Sequence, residues 1–107
     1  MSTIQQVAPT DLPDGALLLD VREPDEWAAG HAPQAVHIPM ADLPERVREL
    51  PTDTVIACVC LVGGRSARAA SLLEQLGYQA VNVAGGMRAW DDAGLPLVSD
   101  VGDPYIA

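Results

Sequence analysis

Short apolar segments recur along the chain and are separated by segments with helical periodicity. The runs at 16–21 (ALLLDV) and 54–59 (TVIACV) are almost wholly apolar and are bounded by Pro, Gly or charged residues, as in strands buried on both faces. Shorter runs of the same kind stand at 35–39 (AVHIP) and 80–83 (AVNV). Each of these segments is predicted to be a strand.

Between these runs the pattern is typical of amphipathic helices. The clearest helix is predicted at 66–77 (SARAASLLEQLG), with a glycine at its end as a ready C-cap. Its apolar stripe consists of Ala69, Leu72, Leu73 and Leu76. Further helices are predicted at 23–30 (EPDEWAAG), 41–50 (ADLPERVREL) and 84–94 (AGGMRAWDDAG), two of them with a proline in the first turn.

Strands that alternate with helices through short links predict an α/β fold, in which a parallel sheet is covered by helices on both faces. A chain of 107 residues is long enough for one domain with one modest core. We assign residues 1–98 to this domain and 99–107 to a C-terminal tail whose order the pattern does not define. In such sheets the functional site lies at the carboxyl ends of the strands.

Charge excludes two classes of partner. The six basic residues are all arginine and stand against fifteen carboxylates, for a net charge of −9. Nucleic acid and anionic membranes both favour basic patches, so neither is an expected partner. The apolar runs are far shorter than the roughly 20 residues of a membrane span, and the first residues lack a basic start and an apolar core. A cytoplasmic protein is therefore expected.

Both cysteines of the chain lie in one stretch, VIACVCLVGGRS at 55–66. Side chains two apart on a strand point to the same side, too far apart for easy disulfide bridging. A zinc site needs two more ligands, and His31 and His37 lack the necessary spacing, so no metal is expected and both histidines are taken as structural. A catalytic thiol remains. Cys60, at the end of the strand, is the predicted nucleophile, and a packed core thiol is favoured over a resolving partner for Cys58.

The segment after Cys60 suits a reactive anion. Two glycines allow the backbone N–H groups to converge, and the following helix begins there with unpaired donors. Such surroundings lower a thiol pKa from its reference value of roughly 8.5. Arg65 adds a cation for an anionic substrate, with an ion pair to an acidic neighbour as the alternative. Ser66 either donates to this loop or only begins the helix.

Asp20 and Arg22 follow the first buried strand and so are expected near the same edge of the sheet. A structural ion pair is the favoured role for them, with direct catalysis as the minority alternative. Trp27 and Trp90 are interpreted as core residues.

Three segments in order carry a family resemblance: LLLDVREPDEWAAGHAPQAVHIP, VIACVCLVGGRSARAASLLEQLGY and VNVAGGMRAWDDAGLP. Together they resemble a single-domain rhodanese-like sulfurtransferase over roughly residues 4–98. The resemblance implies a rhodanese-like three-layer fold with a central five-stranded parallel sheet. It also implies that Cys60 takes a sulfane sulfur from a small-molecule donor, holds it as a persulfide, and passes it to cyanide, a thiol or a protein acceptor. No metal or organic cofactor is implied.

The resemblance also extends the candidate site around Cys60. The substrate-binding residues expected from it are Leu61, Val62, Gly63, Gly64, Arg65 and Ser66. The supporting residues are Asp20, Arg22, Gly85 and Gly86, of which the two glycines are expected to line the mouth of the pocket.

Loop length distinguishes chemistries within the resembling superfamily. The loop from Cys60 to Arg65 has six residues, as in sulfurtransferase relatives, whereas phosphatase relatives have one more. Val59 also stands where a phosphatase pattern favours histidine.

Three positions depart from the family pattern. Leu61 and Val62 are apolar where many relatives are polar or basic, so weak thiosulfate activity and a persulfide donor are expected. Gln34 replaces a familiar glycine, which places the conformation of that turn in question, and Cys58 is an unusual second thiol.

A binding or regulatory module that uses Cys60 little is the alternative function.

Overall fold

The computed structural model describes residues 3–107 and contains one five-stranded parallel sheet. The strands are β1 (Gln5–Val7), β2 (Leu17–Asp20), β3 (Val36–His37), β4 (Ile56–Val59) and β5 (Ala80–Val83). Their order across the sheet is β1-β5-β4-β2-β3, and every neighbouring pair is parallel. The central strands are therefore β5, β4 and β2. This architecture confirms the predicted α/β fold.

Four α-helices connect or flank the strands. They are α1 (Pro24–Ala29), α2 (Leu43–Arg46), α3 (Gly64–Gln75) and α4 (Gly86–Asp92). The helix α1 begins with a capping box, because the Glu23 side chain accepts from a backbone N–H and the Glu26 side chain returns to the Glu23 N–H. Short 3₁₀ turns lie at Pro9–Asp11, Met40–Asp42 and Val47–Glu49. None of the helices in residues 3–107 has the length and apolarity required to cross a bilayer.

The predicted continuous helix at 41–50 was wrong in its form. The segment is instead a 3₁₀ turn, the single turn α2 and a second 3₁₀ turn. Pro44 explains the break, because it lacks the N–H that would donate to the Met40 carbonyl in an α-helix. The Met40 carbonyl accepts from the Leu43 N–H instead, which is the shorter spacing of a 3₁₀ turn.

Two other details differ from the pattern. The edge strand β1 was not recognised from periodicity, because its sequence QQV contains one apolar residue and only Val7 is buried. Leu76, expected on the buried stripe of α3, is exposed and follows the last helical residue. The turn that contains Gln34 forms without a left-handed residue, closed by the Ala35 N–H on the Ala32 carbonyl.

Apolar side chains pack on both faces of the sheet and form two hydrophobic clusters, one on each face. One cluster joins alternate residues of β4 to α2 and α3; it includes Ile56, Cys58, Leu43, Ala69 and Leu73. The other joins the remaining residues of β4 to α4; it includes Ala57, Val59, Val83, Met87 and Trp90. β4 contributes to both clusters, so its end is held from both faces of the sheet.

The C-terminal segment runs along α1. Val98 and His31 exchange backbone hydrogen bonds of 2.9 Å, and the Tyr105 N–H donates to the Ala29 carbonyl at 3.0 Å. Ile106 packs against the second core cluster. These contacts place residues 98–106 against the C-terminal end of α1.

Candidate active site

Cys60 directly follows β4, at the carboxyl edge of the sheet where the sequence predicted it. Its side chain is 1% exposed, so the sulfur lies at the base of the loop rather than on its rim. Cys58 lies two residues earlier within β4 and is fully buried among apolar neighbours. Both thiols are free.

The loop after Cys60 encloses its sulfur. The Gly63 N–H donates to Cys60 Sγ at 3.1 Å, and the Ser66 hydroxyl lies 3.2 Å from the same atom. Gly63 has a φ of 114°, a left-handed conformation that a side chain would strain, and this turns its N–H inward. The helix α3 begins at the next residue, so its N-terminus also faces the sulfur. The loop thus presents donors to one point.

These surroundings give the two cysteines opposite acid–base properties. Burial raises the pKa of Cys60, but hydrogen bonds from the Ser66 hydroxyl and from the backbone N–H groups of Ser66, Gly63 and Val62 outweigh it and lower the pKa below its ordinary value. Burial, with repulsion from Cys60 in second place, raises the pKa of Cys58 to about 12. Cys60 is therefore the thiol that ionises, and Cys58 stays neutral.

Asn82 is a site residue that the sequence analysis missed. It lies on β5, is 2% exposed, and its Oδ1 is 2.6 Å from the Ser66 hydroxyl. Its Nδ2 donates to the Gly63 carbonyl at 3.1 Å and to Gln6 Oε1 at 3.0 Å. A polar residue in the middle of the apolar run AVNV was the available signal, because a buried amide requires polar partners.

Gly85 and Gly86 place the start of α4 against the loop. The Met87 N–H donates to the Cys60 carbonyl at 2.8 Å, and the Arg88 N–H donates to the Leu61 carbonyl at 3.1 Å. Gly86 has a φ of 61°, and a Cβ at this position would collide with both carbonyl oxygens. The glycine is needed for this close approach, which fixes the carbonyl side of the loop.

Arg65 is paired with an acidic residue. Its Nη1 and Nη2 donate to the two carboxylate oxygens of Glu26 at 2.8 and 3.0 Å. This bidentate pair lowers the pKa of Glu26 and raises that of Arg65. The pair links α3 to α1 beside the loop and leaves Arg65 32% exposed. The ion-pair alternative for Arg65 is thus the arrangement in the structure.

Asp20 and Arg22 form a separate, fully buried ion pair. Arg22 Nη2 lies 2.8 Å from Asp20 Oδ2, and the same nitrogen donates to the Gly30 carbonyl at 2.7 Å. The pair ties the end of β2 to the end of α1, and neither side chain has a hydrogen bond to the Cys60 loop among the described residues. This geometry agrees with a structural role.

Trp27 is stacked between two histidines and is only partly buried, outside both core clusters, so its interpretation as a core residue is wrong, whereas Trp90 lies in the second cluster. The ring centroids of Trp27 and His31 are 3.6 Å apart, and those of Trp27 and His37 are 4.7 Å apart, with nearly parallel planes in both pairs. His37 Nε2 also lies 2.8 Å from the backbone carbonyl oxygen of Arg22, which ties the stack to the segment after β2. Neither histidine has a hydrogen bond to Cys60 among residues 3–107.

The outer rim of the loop is apolar. Val62 is 61% exposed, and Leu61 is half-buried beside it. No group of three His, Cys, Asp or Glu side chains in the described range is arranged as metal ligands would be.

Comparisons with known proteins identify relatives of this chain and of its fold. A model of the rhodanese-like domain matches residues 6–93. A protein of Allochromatium vinosum named as a sulfurtransferase is 39% identical over 102 residues, covering 94% of this chain and 92% of its own. YtwF of Bacillus subtilis, named as a candidate sulfurtransferase, is 46% identical over 74 residues, covering 69% and 72%. The crystal structure of a rhodanese-related protein from Thermoplasma volcanium superposes with a TM-score of 0.83 at 36% identity, covering 88% and 97%.

Proposed function

The chain belongs to the rhodanese-like domain family, and from this premise we propose that it is a sulfurtransferase in which Cys60 carries the transferred sulfur. The observation that supports this most directly is the enclosure of Cys60 Sγ by the Gly63 N–H and the Ser66 hydroxyl at the end of β4. Such an arrangement stabilises a thiolate, which is the form of cysteine that attacks sulfur. The two relatives named as sulfurtransferases also support it.

The proposed reaction has two displacement steps. In the first, the Cys60 thiolate attacks the sulfane sulfur of the donor, an Sγ–S bond forms, and the donor leaves with the electron pair, as sulfite from thiosulfate or as a thiolate from a persulfide. In the second, cyanide or an acceptor thiolate attacks the outer sulfur. The bond to Sγ then breaks, and the Cys60 thiolate is regenerated. No general base is required once the thiolate is formed.

The loop N–H groups have a role in both steps. They stabilise the thiolate before attack, and we propose that they also face the outer, negatively charged sulfur of the persulfide. Backbone donors held by glycine-dependent geometry need no rearrangement during the reaction. Gly63, Gly64 and the start of α3 are accordingly proposed to bind the transferred sulfur.

The charges around the loop favour a persulfide donor over thiosulfate. Arg65 is the only basic residue in the loop, and Glu26 neutralises it. Arg88 adjoins the loop through its backbone, but its side chain is exposed, where salt screens a single charge. Thiosulfate also concentrates two negative charges in one small ion, beside the sulfur that is transferred, and it must approach a protein with a net charge of −9. A low-molecular-weight or protein persulfide, whose body can lie against Leu61 and Val62, is the proposed donor.

A binding or regulatory module is the second candidate function. The exposed apolar rim at Val62 favours it, because such a rim also suits contact with a partner protein. The two candidates differ in one respect that can be measured, which is whether Cys60 gains and releases a sulfur atom.

The test is sulfur loading of the purified protein. We expect incubation with glutathione persulfide to add the mass of one sulfur atom, detected by intact mass spectrometry, and cyanide to release it as thiocyanate. Cys60→Ser should abolish both signals. Cys58→Ser is the matched control and should retain loading, because Cys58 is buried and neutral at the pH of the assay. Thiosulfate should load the protein more slowly than the persulfide.

Two results contradict this proposal. If the wild-type protein gains no sulfur from thiosulfate, mercaptopyruvate or glutathione persulfide, it is not a sulfurtransferase and the binding module is favoured. If Cys58→Ser is loaded normally but no longer passes sulfur to cyanide, Cys58 takes part in the transfer and its assignment as a core thiol is wrong.

A further inference from the structure

Ser66 and Asn82 lie behind Cys60, and the hydroxyl proton of Ser66 has two possible acceptors, Asn82 Oδ1 and Cys60 Sγ. Asn82 is held in one orientation, because its Nδ2 faces the Gly63 carbonyl, which can only accept a hydrogen bond. Its Oδ1 must then face Ser66. The Ser66 hydroxyl is 2.6 Å from this oxygen and 3.2 Å from Cys60 Sγ, and it has a single proton to donate.

The consequences depend on the state of Cys60. As a thiol, Cys60 can donate its S–H to the Ser66 oxygen while Ser66 donates to Asn82, so every group has a partner. As a thiolate, Cys60 has no proton, and its sulfur competes with Asn82 Oδ1 for the proton of Ser66. As a persulfide, the negative charge moves to the outer sulfur, and Ser66 can again donate fully to Asn82.

We propose that Asn82 is a positioning residue for the nucleophile, which acts by competing with the Cys60 sulfur for the Ser66 proton. This competition withholds part of a hydrogen bond from the thiolate. A less stabilised thiolate is more basic and a stronger nucleophile towards sulfur. The inference rests on the proposed role of Cys60, and it adds a residue on β5 that controls the reactivity of that role.

Other charges near Cys60 do not produce this competition. Arg65 lies across the loop and is held by Glu26 on α1, and Cys58, on the strand below, is neutral. None of them contacts Ser66 or Asn82 through a described hydrogen bond. They remain the same in each variant used below, so a change in the Cys60 pKa reports on Ser66 and Asn82.

The first test is a double-mutant cycle read as the Cys60 pKa, from the ultraviolet absorbance of the thiolate during a pH titration. Asn82→Leu should release the Ser66 hydroxyl to the sulfur and lower the pKa by about one pH unit, the size expected for a gained hydrogen bond to a charged group. Ser66→Ala should raise the pKa. In the Ser66→Ala background, Asn82→Leu should have a much smaller effect on it, because only the loss of the Nδ2 hydrogen bond to the Gly63 carbonyl remains. An equal shift in both backgrounds, or none in either, overturns the proposal.

The second test uses the wild-type protein and so does not depend on whether Asn82→Leu folds. The Asn82 side-chain carbonyl carbon is followed by NMR as a function of pH. Its chemical shift should change with the same midpoint as Cys60, because the Ser66 proton is shared between Oδ1 and the sulfur once the thiolate forms, and Ser66→Ala should remove this change. A signal that does not respond to the Cys60 titration overturns the proposal. Neither readout requires sulfur transfer, so a protein that fails sulfur loading can still show the competition.

Discussion

Arg65 illustrates how one neighbour decides the chemistry of a side chain. A free guanidinium beside a thiolate would recruit an anionic donor. In the structure, however, both Nη1 and Nη2 of Arg65 donate to the carboxylate of Glu26. Glu26 is itself held by the capping box of α1. For the sulfurtransferase proposed above, we expect the choice of donor to depend on Glu26, 39 positions away in sequence, as well as on the loop.

Replacing Glu26 by glutamine should release this cation. The amide retains an oxygen for the Glu23 N–H but no longer neutralises Arg65. We expect kcat/KM for thiosulfate to rise about fivefold, the effect of roughly 1 kcal/mol, which is the attraction between unit charges about 4 Å apart in water. The persulfide reaction should change less, and added salt should reduce the gain.

Asp25→Asn is the matched control for Glu26→Gln. It removes the same charge from the same helix, at an exposed position that makes no contact with Arg65 in the structure. If both variants accelerate the thiosulfate reaction equally, only net charge matters and Glu26 does not mask Arg65.

At the scale of elements, the site is formed where three of them meet. The end of β4 supplies Cys60, the start of α3 supplies Gly63 and Ser66, and the start of α4 presses Gly86 against the loop carbonyls. Each element reaches this point because parallel strands deliver the chain to the same edge.

The convergence of β4, α3 and α4 at the site could be predicted from the sequence only in part. Cys60 and its glycine loop follow from the end of an apolar run, and α3 follows from its apolar stripe. Asn82 could not be assigned in the same way, because its role depends on Gly63 and Ser66 crossing over it, which is a tertiary relation. The Glu26–Arg65 pair has the same origin, and local periodicity contains no information on either.

A methyl group at Gly86 should disturb the loop. Gly86→Ala would collide with the Cys60 and Leu61 carbonyl oxygens as well as strain a φ of 61°. We expect a loss of stability greater than the about 1–3 kcal/mol of backbone strain alone, and slower alkylation of Cys60. Urea unfolding and the rate of reaction with iodoacetamide measure the two effects.

Gly77→Ala separates strain from collision. Gly77 also has a left-handed φ, of 94°, but a Cβ there meets no atom within 4 Å. It should lose stability through strain alone and leave the alkylation rate unchanged. Equal losses in the two variants would mean that the approach of α4 to the loop has no energetic role.

At the scale of the whole molecule, the C-terminal segment closes one side of the fold. It pairs with His31, contacts the end of α1 through Tyr105, and adds Ile106 to the core. The Arg22 guanidinium binds the same end of α1, where it donates a hydrogen bond to the Gly30 carbonyl. The order of α1, and hence the position of Glu26, depends on contacts from both sides.

Gly30 provides a test of this closure. Its backbone is extended, so alanine introduces no strain there, but a Cβ would collide with the Tyr105 carbonyl. In the full chain, Gly30→Ala should lower the Tm by about 4–8 °C, the effect of roughly 1 kcal/mol in a domain of this size. In a chain truncated after Val98, the same substitution should cost little. A similar Tm loss in both chains would show that the C-terminal segment does not pack on Gly30.

The pairing of β1 with β5 has a consequence for the order of events during folding. Gln6 and Asn82, which meet across these strands, are 76 residues apart in sequence. Contacts of such long range form after the entropy of closing a loop of 76 residues has been overcome, and during synthesis they cannot form until β5 has left the ribosome. The Gln6–Asn82 part of the environment of Cys60 is therefore complete only in the finished fold, whereas the Gly63 and Ser66 donors lie within six residues of Cys60 in sequence and belong to its own loop.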